Sequence, residues 1–277
     1  LLGVQSSAPH NSQLSPNQTW MGSPPLLLPA REAVPETNDN LTFHPSPLRR
    51  LARGTIEALR IVLPMALAIA AGYVIVFKCV EYAEKEQWLY CLNTLLLSSG
   101  IYAISTFLIV LILKWLLVRK YKPRQAPMWT LFVWLSEAVT VLYESLATPG
   151  LLNLFRGTPM LPWALRLLGA KIGKGVWLNT TDLTEFDCVH IGDFSELNAY
   201  SGPQTHLFED RIMKIGHVHI ADHVTIGCRS TVLYDASVGS NTCTGPLTLV
   251  AKGEQLPEDS AWQGTPAEPF LPTCHNP

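Results

Sequence analysis

The run Ile220-Ala-Asp-His-Val-Thr-Ile226-Gly-Cys-Arg-Ser-Thr-Val232-Leu-Tyr-Asp-Ala-Ser-Val238-Gly239 places an aliphatic residue at every sixth position. Val250 keeps the same phase, with Thr244 as a weaker member. A helix buries residues three or four apart and a single strand every second one, so a six-residue step fits neither. It fits a parallel β-helix of triangular section, in which each face turns one aliphatic side chain inward and three faces complete a coil of about 18 residues. The aliphatic–glycine pairs Ile172-Gly173 and Ile191-Gly192 carry the pattern towards the N-terminus. The β-helix is therefore expected over 169–255, followed by a tail over 256–277. The phase breaks between Leu197 and Ile215, where a loop must leave the coil, and insertions of this kind commonly carry the binding face of a solenoid.

Upstream, the chain is a different polymer. Residues 1–48 are rich in Pro, Ser and Asn and lack apolar periodicity, which predicts a disordered linker. Ile61–Phe77 and Leu92–Leu113 are uncharged apolar runs, and about 20 such residues cross a bilayer core. Segment 49–125 is therefore expected to be a hairpin of two transmembrane helices. Arg49, Arg50, Arg53 and Arg60 precede the first run, and Lys114, Arg119, Lys120, Lys122 and Arg124 follow the second. The connection between the runs carries Lys78 and Lys85 diluted by Glu81, Glu84 and Glu86. That asymmetry predicts a multi-pass membrane protein with its β-helix in the cytoplasm. Segment 126–168 mixes Trp129, Trp134 and Tyr143 with Glu137 and Glu144, which reads as an interfacial helix and elbow rather than a third span.

Composition supports the membrane. Of 277 residues 48% are hydrophobic and only 15% charged, below the quarter usual in soluble domains. A net charge of −2 gives no field for nucleic acid. The six cysteines show no Cys-x-x-Cys pair, which excludes a zinc ribbon, a thioredoxin motif and a disulfide scaffold. His190, His217, His219 and His223 are expected as polar histidines of the outer face, with no metal.

The stretch Asn198-Ala-Tyr-Ser-Gly-Pro-Gln-Thr-His206 resembles the acceptor-site signature of hexapeptide acyltransferases, in whose galactoside and maltose branch an asparagine precedes the catalytic histidine by eight positions. Four stretches carry a closer resemblance: Leu154-Phe-Arg-Gly-Thr-Pro159, Leu165-Arg-Leu-Leu-Gly-Ala-Lys-Ile-Gly173, Phe194-Ser-Glu-Leu-Asn198 and Gly202-Pro-Gln-Thr-His-Leu-Phe-Glu-Asp-Arg211. They are similar to the C-terminal region of the membrane-bound nonribosomal peptide synthetases typified by ε-poly-lysine synthetase. The resemblance implies a transmembrane helical hairpin plus a left-handed parallel β-helix of hexapeptide-repeat, acyltransferase-like type. It also implies an activity, joining a carrier-bound aminoacyl or acyl thioester to an amine. No intrinsic cofactor is implied, because the phosphopantetheine thioester arrives on a carrier domain. The adenylation and carrier domains would act in cis or in trans. Three β-helices would pack together, as a homotrimer or as a pseudo-trimer with related domains.

The chemistry needs a base, a group to orient it, and contacts for the substrate. His206 suits proton transfer near neutrality. Asn198 is expected to hold the acceptor and Asp210 to fix the imidazole tautomer. Arg211 and Lys214 are expected to meet a pantetheine phosphate or the acceptor carboxylate, with Glu209 beside them among the substrate-binding residues. Two other readings stand beside this one: a coenzyme-A-dependent O- or N-acetyltransferase using acetyl-CoA, and a noncatalytic unit that completes a trimeric assembly.

Overall fold

The computed structural model describes residues 38–270 and two short strands, Trp20–Met21 and Leu26–Leu27, which pair antiparallel. The remainder of the 1–48 linker and the end of the tail lie outside the described residues. The described end of the linker is folded, contrary to the expectation of disorder. A 3-10 turn over Asp39–Leu41 is capped by the Asn38 side chain. The Leu41 carbonyl accepts a hydrogen bond from Trp129 N at 3.1 Å, and Thr42 is buried. The segment lacks an apolar periodicity of its own, and docking on the rest of the fold supplies the burial that offsets its ordering.

Ser46 caps α1 (Pro47–Glu84) by accepting from Arg49 N, and Pro47 occupies the first turn, where its missing N–H costs nothing. α2 (Trp88–Leu117) returns antiparallel after a turn in which Glu86 adopts φ 56°. The connection between the apolar runs is mostly helical, because α1 continues to Glu84. Large apolar side chains on both helices face outward and are exposed, among them Leu63, Ile69 and Phe77 on α1 and Leu89, Leu96 and Ile101 on α2. Three helical stretches, Pro47–Glu84, Trp88–Leu117 and Leu131–Gly150, are long and apolar enough to cross a membrane by length and composition. The third differs from the other two. α3 (Leu131–Leu142), a π turn (Tyr143–Ala147) and α4 (Thr148–Gly150) bury Val133, Trp134, Ser136, Val139 and Leu146 against the protein itself.

α5 (Met160–Leu168) ends at Gly169, whose φ of 117° is a left-handed stop. From there the chain winds over three faces. One face stacks Lys171–Ile172, Val189–Ile191, Val218–Ile220, Ser237–Val238 and Gln255–Leu256 in parallel. The second stacks Trp177–Leu178, Glu196–Leu197, Thr225–Ile226, Cys243–Thr244 and Ala261–Gln263, and the third Gly202–Gln204, Thr231–Leu233 and Leu249–Val250. Partners on successive coils are eighteen residues apart, as Ile220↔Val238, Val238↔Leu256 and Val232↔Val250 show. The six-residue positions fill the axis, with Ile172, Leu178, Ile191, Leu197, Ile220, Ile226, Val232, Val238, Val250 and Leu256 all buried.

The coil runs past the boundary expected at 255. Leu256 and Trp262 continue the six-residue step from Val250, and the last strand pair, Ala261–Gln263 with Glu268–Pro269, closes that face antiparallel. At the other end Leu161, Leu165 and Leu168 of α5, with Phe107 and Val110 of α2, join the same buried cluster. Helices and β-helix thus share one core, each fully buried aliphatic contributing about 1.5–3 kcal/mol.

Candidate active site

Ile191 pairs with Ile220, twenty-nine positions on rather than eighteen, so eleven residues are inserted at this point in the coil. They leave the third face after Gln204 as an antiparallel hairpin of His206–Glu209 and Ile212–Ile215, to which Arg124–Pro127 adds a third strand. Asp210 and Arg211, at φ 51° and 60°, form its two-residue turn. His206 is the first residue of the hairpin and stands where it leaves the coil.

The carboxylate against His206 is Glu185. Its Oε2 lies 2.7 Å from His206 Nδ1 and accepts from Thr205 Oγ1 at 2.6 Å, while Ser136 Oγ lies 3.5 Å from Oε1. The Glu185 side chain is 0% exposed and that of His206 17%. A buried carboxylate is tolerated only with such partners. The backbone helps to aim it, because Glu185 adopts φ 38°, ψ 55°, a left-handed conformation unusual outside glycine. The turn that follows, Phe186–Cys188, is pinned by Asp187, whose Oδ2 meets Lys114 Nζ of α2 at 2.7 Å and Tyr121 N at 3.0 Å. With Nδ1 donating to the carboxylate, Nε2 is the nitrogen left to exchange a proton. Burial pulls the imidazole towards its neutral form, but Glu185, with a further contribution from Glu137, outweighs that and sets its pKa above the usual histidine value.

His206 opens on a pocket of about 230 Å³ walled by Arg60 of α1, by Ser136, Glu137, Thr140 and Val141 of α3, and by Phe208 and Met213 of the hairpin. Arg53 bridges Glu137 at 3.0 Å and Glu57 at 3.3 Å, and Arg60 also pairs with Glu57. Arg60 Nε is buried with no hydrogen-bond partner, so this guanidinium retains donor capacity beside the pocket. A larger pocket, about 360 Å³, lies between the π turn and Thr180–Thr184, lined by Glu144, Arg156, Asp182 and Tyr200. Burial pushes the Asp182 carboxyl up, but no imidazole or thiol lines that pocket. The smaller one is lined by the imidazole of the His206–Glu185 pair and is the candidate site.

The other sequence-predicted residues are placed elsewhere. Asn198 donates its amide to the Ile226 carbonyl of the next coil at 3.0 Å, a rung of the β-helix. Glu209 pairs with Lys214 across the hairpin at 2.7 Å. Arg211 lies over the Phe43 ring, 5.2 Å from its centroid. Strand alternation explains the separation, since Phe208 shares the face of His206 and Glu209 points the other way. Asp210 stands four residues on, in the turn, and the carboxylate at hydrogen-bond distance from His206 is that of Glu185. The available signal for Glu185 was the acidic trio Asp182, Glu185 and Asp187 in a stretch where coil spacing slips to nineteen, from Ile172 to Ile191.

Fold and site together define a class: a parallel β-helix fused to apolar helices, with a buried carboxylate–imidazole pair facing a pocket between them. The chain is 56% identical over 271 residues, 98% of its length, to the delta-poly-L-ornithine synthetase of Acinetobacter baumannii (strain AB307-0294). It spans about a fifth of that relative, 20% of its length. No family model matches the chain. Among solved structures, a hexapeptide-repeat-containing acetyltransferase from Vibrio cholerae is 16% identical, with a TM-score of 0.35 over 43% of this chain and 85% of that one. The serine acetyltransferase of Neisseria gonorrhoeae, in complex with serine, is 20% identical, with a TM-score of 0.32 over 62% of this chain and 56% of that one.

Proposed function

We propose that this chain is a membrane-anchored acyltransferase-like unit of a nonribosomal peptide synthetase, joining a carrier-bound aminoacyl thioester to an amine. The observation that carries the reading is the Glu185–His206 pair at a pocket, on a chain with this identity to a poly-ornithine synthetase. In the proposed step a neutral amine attacks the thioester carbonyl, and His206 Nε2 takes the proton it sheds. The carbon–sulfur bond breaks, the amide forms, and the imidazolium returns the proton to the departing pantetheine thiolate. Glu185 holds the tautomer and stabilises the imidazolium. Arg60 donates to the carbonyl oxygen or to a carboxylate of the acceptor.

Several finer features belong to the same reading. The β-helix is left-handed and faces the cytoplasm, α1 and α2 span the bilayer as a multi-pass anchor, and α3 lies at the interface. Adenylation and carrier domains act in cis or in trans, and the β-helix packs in a trimer or pseudo-trimer. Arg211, exposed at the hairpin turn, is the cation best placed to meet the pantetheine phosphate. Asn198 and Asp210 take positioning roles in the coil and turn, while Lys214 and Glu209 hold the hairpin together.

The test is single-turnover amide formation from an aminoacyl pantetheine thioester and a diamine by the detergent-solubilised protein. His206→Ala and Glu185→Gln are compared with wild type. A positioned base contributes about 10²–10⁴ in rate, and His206→Ala should lose that factor while remaining folded, as a cooperative thermal transition checks. Full activity in His206→Ala would remove His206 from the role of base, and no amide formation by wild type would leave the unit a scaffold. Transfer from acetyl-CoA alone would mark it instead as an acetyltransferase.

A further inference from the structure

His190 and His219 are cross-strand partners on the outside of the first face, and His217 lies two residues before His219 on the same side. Their rings gather closely, with His190 and His219 stacked 4.4 Å apart and His217 at 5.1 and 5.5 Å from the two. One ring nitrogen from each histidine lies within 4.8 Å of the others. Both nitrogens of His190 and Nδ1 of His217 are buried and have no hydrogen-bond partner. A buried imidazole donor or acceptor without a partner costs about 1–3 kcal/mol, so three such atoms at one place call for a ligand. Three imidazoles with no carboxylate among them are a nitrogen donor set, which suits zinc and its neighbours and does not suit calcium or magnesium.

We propose that His190, His217 and His219 form a binding site for one divalent metal ion of the zinc class. Metal–nitrogen distances of about 2.0–2.1 Å require the nitrogens to close to about 3.4 Å of one another. The stacked pair opens about the Cβ–Cγ bonds to converge its lone pairs, and the exposed His219 has room for that movement. The backbone of His217 is already fixed, its carbonyl accepting from Asp235 N at 2.6 Å. The three ligands leave a fourth position for water or an external donor. Lys171, across from His190 on the preceding strand, is exposed and can turn its ammonium into solvent.

The site bridges the inserted hairpin. His190 stands before the insertion and His217 and His219 after it, so a bound ion staples the two coils from which the His206 hairpin departs. This role is separate from the acyl-transfer reading and survives its failure, because none of the three histidines lines the His206 pocket.

The test is cobalt(II) titration of tag-free, chelator-treated protein in detergent, followed by visible d–d absorption and displaced by zinc. The expected result is one equivalent per chain, with affinity at least about tenfold weaker in His190→Ala, in His217→Ala and in His219→Ala. Zinc should raise the unfolding temperature of wild type and of His223→Ala but not of His219→Ala. His219→Ala removes an exposed side chain and decides the matter if His190→Ala fails to fold. Absence of stoichiometric binding by wild type, or binding unchanged in His219→Ala, would overturn the site.

Discussion

Lys114 and Asp187 form an ion pair of 2.7 Å in which the two side chains are 0% and 4% exposed, joining the last turn of α2 to the turn that presents Glu185. Removing one partner of such a pair strands a buried charge at a cost of about 3–5 kcal/mol. Lys114→Met alone should therefore destabilise the protein by that amount, and Asp187→Asn should do much the same. The double variant should recover part of the loss, since neither charge is then stranded. Denaturant unfolding of the four proteins in detergent measures the cycle. Additive losses would mean that the pair does not couple α2 to the β-helix. Gly169 gives an independent check, because a Cβ there would meet Asp187 Oδ1 at 2.6 Å and Lys114 Nζ at 3.0 Å, at a φ of 117°. Gly169→Ala should be destabilising too.

The Glu185–His206 contact makes a prediction about pH. Glu185 raises the folded-state pKa of His206 above its unfolded value. The stability this contributes is fully present below the unfolded pKa and is lost as pH rises through the folded one. The stability gap between wild type and His206→Gln should therefore be larger at pH 6 than at pH 9. Transfer activity, which needs the neutral imidazole, should rise with pH over the same range. Glu185→Gln should move that rise to lower pH while lowering the maximal rate. An unshifted midpoint in Glu185→Gln would remove Glu185 from the role.

The contrast between Ile226 and Glu185 shows what was legible in the sequence. Ile226 belongs to a run in which every sixth residue is aliphatic, and packing along a β-helix axis permits few other patterns. The three faces, the coil length and the place of the insertion follow from it. Glu185 has no such period. Its contact with His206 depends on a backbone excursion through φ 38° and on Ser136 from another element, neither of which spacing encodes. Asp210 is near His206 in sequence only. Strand geometry carries it away, at about 3.4 Å per residue.

Topology is open to direct measurement. With α1 and α2 as spans and the basic ends of both helices inside, the turn near Glu84 lies outside and the coil corner at Glu258 inside. In a background lacking native cysteines, Glu84→Cys should react with an impermeant maleimide on intact cells, and Glu258→Cys only after permeabilisation. The opposite pattern would place the β-helix outside. Reaction at both positions without permeabilisation would remove the two-span reading.

The final coil yields the last prediction. Leu256 is 3% exposed beneath Val238, and Ala261–Gln263 pairs with Cys243–Thr244, so the C-terminal coil covers the end of the β-helix axis. A chain stopped at Glu254 would expose Val238 and Val250 and leave the strand edges of Ser237–Val238 and Cys243–Thr244 unpaired. Leu256→Ala removes the side chain but keeps the strand, and should cost about 2–5 kcal/mol. The truncation loses the strand and the side chain together, so it should be worse than Leu256→Ala and should aggregate on extraction. Size-exclusion profiles and thermal unfolding of the two proteins compare them. A truncated chain that elutes and unfolds like wild type would show that the coil ends, energetically, at the Val250 strand.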